Sequence, residues 1–194
     1  AVLGCAVCAA LTITFVGLKT GLFLGEAPDY RGELEFSDLA IPEAIRDGIG
    51  AALHRIDDAL LQRHLGRRRR AGHKGDYGHV LIIGGGEGMP GAARLAGEAA
   101  LRAGAGLVSV ATHPSHAALL VGSRPELMPH GIAGPDDLAP LLERADVIAF
   151  GPGLGRSGWA EALFGVVSEL ELPAVWDADA LNWLADAPQA VDGR

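Results

Sequence analysis

From residue 71 onward the chain repeats one pattern: a short apolar run, a glycine-rich turn, then an amphipathic stretch. That pattern restricts it to a parallel α/β sheet. Residues 79–83 (HVLII) read as a buried strand, 84–91 as a glycine loop and 92–103 as a helix ended by Gly104 and Gly106. The next strand covers 107–111 (LVSVA), so the segment is a βαβ unit, whose strands are parallel. After a loop and a short helix near 136–144, a third strand at 147–150 (VIAF) runs into GPGLG at 151–155. A helix over 159–170 and a strand at 174–176 follow. Glycine supplies 28 of the 194 residues, about twice its usual share of roughly 7%, which suits a sheet protein with many tight turns.

In an open α/β sheet, ligands bind beyond the carboxyl ends of the strands. Three suggestive loops are placed there. The first holds a formal G-x-G-x-x-G at Gly86, Gly88 and Gly91. It has two readings: a backbone cradle for phosphate at a helix start, or a tight turn with close helix packing. A dinucleotide site of the usual kind expects an acidic residue at the end of the next strand, yet that strand ends in Ala111, Thr112, His113 and Pro114. The second loop, 151–155, is a stiff glycine-proline segment suited to lie against a flat or phosphorylated ligand. The third, DADALN at 177–182, puts Asp177 at a strand end and Asp179 at a helix start; Asp179 reads as a helix cap, and, compatibly with that, Asp177, Asp179 and Asn182 read as holding substrate hydroxyls or a metal-bound phosphate. The segment 73–78 (HKGDYG) holds a His and a Lys that would face phosphate or water. His113, His116 and His130 are too irregularly spaced for a metal cluster and read as surface or loop residues.

The first third differs. Residues 11–16 (LTITFV) read as a short buried strand whose sheet partners are missing, as if the chain were cut from something longer. Residues 42–65 carry apolar residues at roughly helical spacing (Ile45, Ile49, Leu53, Ile56, Leu60) before Gly66 and the run Arg67 to Arg70, read as a solvated linker. A net charge of -8 argues against nucleic acid as partner. The apolar start is too broken by Gly4, Thr12, Thr14, Gly17 and Lys19 for a membrane segment. Cys5 and Cys8 suggest neither a disulfide framework nor a zinc site, which fits a reduced cytoplasmic setting.

Taken together, HKGDYGHVLIIGG, GAARLAGEAALRAGAGLVSV, GPGLG and WDADALN resemble the ADP/ATP-dependent NAD(P)H-hydrate dehydratase family, occurring in the family's order over about residues 71–190. The leading AVCAALTITFVGLKTGLFLGEAPDYRGELEF resembles the tail of the NAD(P)H-hydrate epimerase domain that is fused ahead of the dehydratase in many bacteria. The resemblance implies an epimerase remnant over 1–45, a helical linker with a basic run over 46–70, and the first part of a dehydratase domain over 71–194. The implied fold is ribokinase-like: a Rossmann-like parallel sheet with helices on both faces, truncated at its carboxyl end.

The implied activity is repair. Hydrated NAD(P)H, written NAD(P)HX, is dehydrated to NAD(P)H at the expense of ADP or ATP with Mg2+, while a K+-dependent epimerase interconverts the hydrate epimers. Ala92 and Gly153 are then the foremost substrate contacts, with Gly155, Asp179 and Asn182 behind them. The family's His-Pro-Gly-Glu segment, lysine-glycine loop and Gly-x-Gly-Asp motif are not found. The aspartate that carries catalysis is therefore expected beyond Arg194, and the polypeptide is expected to be inactive alone. Ala10 also stands where relatives often have Asp. A small-molecule kinase of the same fold, or a nucleotide-binding module without catalysis, are the competing readings. Self-association into a homo-oligomer stays open.

Overall fold

The structure, a computed structural model, describes residues 4–50, 53–122 and 124–187. The chain divides into two compact units, residues 1–66 and 67–194.

In the first unit, strand β1 (Leu11–Phe15) pairs in parallel with β2 (Glu33–Ser37), Ile13 opposite Glu35. Helices α1 (Ala27–Arg31), α2 (Glu43–Asp47) and α3 (Asp58–His64) are short. Two expectations fail here. The LTITFV strand forms, but it is not buried: Leu11, Ile13 and Phe15 are 45–49% exposed, and Thr14 is its one buried residue. A two-stranded ribbon has too little covering structure to bury either face. The helical spacing over 42–65 likewise yields no continuous helix; α2 and α3 are separate, and Ile45, Ile49, Leu53 and Ile56 are all exposed. Apolar periodicity without burial does not sustain a long helix.

The second unit is a five-stranded, all-parallel sheet. Its strands are β3 (His79–Ile83), β4 (Leu107–Thr112), β5 (Met128–Gly131), β6 (Val147–Phe150) and β7 (Ala174–Trp176), in the order β5-β4-β3-β6-β7. Alternation along β3 builds two cores. Ile82 packs with Ala93 of α4 (Pro90–Ala103), with Leu120 of α5 (Ala117–Val121) and with Val108, Val110 and Leu127. Leu81 and Ile83 point the other way, into Leu141 of α6 (Ala139–Leu142), Leu163 and Phe164 of α7 (Gly158–Val167), Ala180 of α8 (Asp179–Asp186), and Phe150. Helices therefore cover both faces, which is why β3 reads as a continuous apolar run rather than an alternating one.

The expected strands are present within a residue or two. An additional strand, β5, leaves no signal in the sequence, because Met128, Pro129, His130 and Gly131 lack any β-branched residue and pair only along the edge of β4. His73 to Tyr77 form a tight turn before β3, with the His73 amide donating to Asp76 Oδ2 at 3.0 Å. That places His73 and Lys74 at the amino end of the sheet, opposite the glycine loops, so they do not face a ligand at the carboxyl edge. The arginine run is partly docked: Arg68 lies over the Tyr77 ring (4.2 Å) and donates to the Gly104 carbonyl.

Candidate active site

The sheet order fixes where a ligand can enter. From β3 the chain steps outward through α4 to β4 and on to β5; it then crosses back to β6, on the other side of β3, and steps outward again to β7. Connections leave β3 and β6 in opposite directions, and such a switch point opens a crevice at the carboxyl ends of the two strands. Both glycine loops lie in it.

They are bonded to each other. The Gly85 amide donates to Pro152 O (2.9 Å), the Gly86 amide to Gly153 O (2.7 Å) and the Gly151 amide to Ile83 O (3.0 Å). A side chain at Gly153, whose φ is +61°, would lie 2.9 Å from the Met89 carbonyl oxygen and 3.0 Å from Ala92 Cβ. Gly153 and Ala92 are thus pressed together where the second loop meets the start of α4. The amides of Gly85 and Gly86 are bonded to the neighbouring loop, so this end of the first loop serves packing, while Gly88 and Gly91 stand in open space.

The weaker candidates form the adjoining wall. Asp179 Oδ2 accepts from the Gly155 amide at 2.8 Å, and Asp179 Oδ1 accepts from Asn182 Nδ2 at 3.5 Å. The Gly155 carbonyl accepts from Trp183 Nε1 at 3.1 Å. Asp179 therefore ties α8 to the second loop and does not cap its own helix. Ala178, just before it, takes φ 47° and ψ −114°, a conformation that L residues rarely adopt. Arg156 is paired with Asp186 and lies over the Trp183 ring at 5.1 Å. All five expected site residues share the carboxyl edge: Ala92 beside Gly153, and Gly155, Asp179 and Asn182 linked in series.

A cleft of ≈ 360 Å³ opens next to Gly155, lined by Glu87, Met89, His113, Arg156 and Trp159 among others. Of the histidines expected at the surface or in loops, His113 does lie in a loop, but His116 is buried. His116 is 6% exposed, and its Nε2 lies 2.9 Å from the Gly85 carbonyl and 3.1 Å from Thr112 Oγ1. The end of β4, which lacks a carboxylate, supports the first loop instead, since the Thr112 hydroxyl donates to Gly85 O at 2.8 Å. His130 is half-buried in β5; burial, then His79 and Arg144, hold its imidazole below the usual range. Among the described residues no three His, Cys, Asp or Glu side chains gather to hold a metal ion, and none of the helices is long and apolar enough to cross a membrane.

Residues 80–194 match the family model described as NAD(P)H-hydrate dehydratase. The chain belongs to that family. Over 95% of its length it is 49% identical to the bifunctional NAD(P)H-hydrate repair enzyme of Coxiella burnetii, of which it covers 38%. It thus spans little more than a third of the curated relatives it matches. Among solved structures, a ribokinase-like superfamily protein from Enterococcus faecalis superposes with a TM-score of 0.61 at 26% identity, covering 72% of this chain and 52% of that one. The ADP/ATP-dependent NAD(P)H-hydrate dehydratase of Bacillus subtilis, co-crystallised with ATP/Mg2+, gives 0.54 at 30% identity, covering 64% and 46%. The ribokinase-like expectation therefore holds for the second unit.

Proposed function

We propose that the second unit is the substrate-side part of an NAD(P)H-hydrate dehydratase that restores NAD(P)H from NAD(P)HX with ADP or ATP. We also propose a division into an epimerase remnant over 1–45, a linker over 46–70 and a dehydratase part over 71–194. The likeness to bifunctional repair enzymes supports this division, because it runs over 95% of the chain whereas the dehydratase model begins only at residue 80. The observation that carries the substrate assignment is the contact of Gly153 with Ala92 at the switch point.

In this reading Ala92 and Gly153, lacking bulk, let the hydrated pyridine nucleotide lie against the backbone. Gly155, held by Asp179, with Asn182 beside it, shapes the rim. Loss of the ring hydroxyl requires a better leaving group, and phosphorylation by the nucleotide supplies it; the ring nitrogen lone pair then expels the phosphate, and loss of a proton from the adjacent ring carbon restores the dihydronicotinamide. This chain's share is positioning. Asp179 Oδ2 holds the Gly155 amide, so its role in this reading is to position that loop. Mg2+ would arrive on the phosphates of the nucleotide, as it commonly does. K+ belongs to the epimerase domain of the longer protein, and the setting is cytoplasmic.

Calorimetry of the chain with NADPHX, NADPH and ADP tests the assignment. NADPHX binds, and Gly153→Val weakens it at least about tenfold, by overpacking against Ala92. Binding of ADP alone, undiminished in Gly153→Val, overturns it. Turnover of NADHX with ADP by this chain contradicts the purely substrate-side role.

A further inference from the structure

The ≈ 360 Å³ cleft beside Gly155 carries a carboxylate, Glu87 of the first glycine loop, and a guanidinium, Arg156, directly after the second. A guanidinium stays charged throughout the physiological pH range and offers five N–H donors. Those of Arg156 are divided. Its Nη2 is turned to α8, where it is paired with Asp186 and donates to the Asn182 carbonyl at 3.4 Å, and the guanidinium carbon lies 5.1 Å from the centre of the Trp183 ring. The three N–H groups on Nε and Nη1 have no partner among the described residues.

The plainer reading is that Arg156 only ties α8 to the second loop. That tie exists without it: the Gly155 amide donates to Asp179 Oδ2 at 2.8 Å, and the Gly155 carbonyl accepts from Trp183 Nε1 at 3.1 Å. An ion pair whose two side chains are 50% and 63% exposed adds little stability. What Asp186 and Trp183 do achieve is to order a long side chain at the cleft, which lowers the entropy lost when a ligand binds there. We propose that Arg156 is a ligand-contact residue that donates from Nε and Nη1 to a phosphate group of the ligand. Phosphate oxygens are the acceptors that suit a planar, permanently charged donor set. Glu87, at the same cleft, repels phosphate and so favours its seating on the Arg156 side. The ligand's identity rests on the function proposed above: both hydrates carry a pyrophosphate, and NADPHX carries a 2′-phosphate as well.

Calorimetry of the chain with NADHX and NADPHX tests the contact. Arg156→Gln lowers affinity roughly tenfold to hundredfold, the worth of a charge-assisted hydrogen bond. A loss for both hydrates assigns the pyrophosphate, and a loss confined to NADPHX assigns the 2′-phosphate. Asp186→Asn separates contact from tie. It weakens the same link to α8 but keeps the guanidinium over Trp183 and removes a competing anion, so affinity is retained or rises. Equal losses in the two variants mark a structural tie and overturn the proposal, as does unchanged affinity in Arg156→Gln. Inorganic pyrophosphate, followed by NMR at the Arg156 Nε–H signal, probes the contact without a pyridine ring, and the signal is expected to shift. If neither hydrate binds but pyrophosphate moves that signal, the phosphate contact stands and the substrate assignment falls. A signal unmoved by pyrophosphate and by both hydrates overturns the contact itself.

Discussion

β1 and β3 are five-residue runs of similar apolar character, LTITF and HVLII, and each pairs with a parallel neighbour. Their surroundings differ completely. Leu81 and Ile83 are 0% exposed under α6, α7 and α8, with Ile82 at 1% beneath α4 and α5, whereas Ile13 is 49% exposed. A local pattern selects the strand, but the layers laid over it decide its burial. The candidate site belongs to the unit that has those layers, because holding two glycine loops in contact requires strands that do not move.

The comparison predicts very unequal costs for equal substitutions. Gly151→Ala places a Cβ against the Asp177 carbonyl and 2.7 Å from Ala180 Cβ at a φ of +119°. It should cost at least ~3 kcal/mol, while Gly17→Ala in the first unit, with nothing within 4 Å, should stay within ~0.5 kcal/mol. Urea unfolding of both variants checks this, and similar losses would erase the contrast. Leu81→Ala should cost about 2–5 kcal/mol by opening a cavity, and Ile13→Ala about 1 kcal/mol or less; thermal midpoints of the pair measure the difference. Asp179→Ala removes the acceptor of the Gly155 amide. It should cost about 1 kcal/mol, because that amide is only half-buried and water replaces part of the bond. A loss near zero would mean the loop holds itself.

The smallest effect is in pH. His130 has a depressed pKa in the folded state, so the unfolded chain takes up its proton first as pH falls below 6.5. The second unit should lose stability from 6.5 downward through the folded pKa, and the urea midpoint of His130→Gln should lose that part of the slope. A slope unaffected by the substitution assigns it to other groups.

Much of this was legible from residue types. HVLII, LVSVA and VIAF announce strands, and Gly104 with Gly106 announces the end of α4, because each is a local preference that the parallel sheet reinforces. Ala92 and Gly153 were recognisable through the family's motifs, but not their mutual contact, which depends on β3 and β6 being neighbours across 67 residues (Ile83 opposite Phe150). His116 was illegible: a histidine near a Pro-Ser turn looks solvated until the Gly85 carbonyl and the Thr112 hydroxyl are brought to it. The reading of Asp179 as a helix cap failed for the same reason, since its partner Gly155 lies on another loop. The apolar residues of 42–65 misled in the opposite sense, because helical spacing carries no information on whether a surface exists to receive it.

The central claim is that the two glycine loops of the second unit together present the substrate face. Amide NMR of the nitrogen-15-labelled chain titrated with NADPHX tests it most directly. The shifts are expected to cluster at Ala92, Gly153 and Gly155 and to leave β1 and β2 untouched. Shifts centred on β1 and β2, or none at Ala92 and Gly153 at saturation, would contradict it.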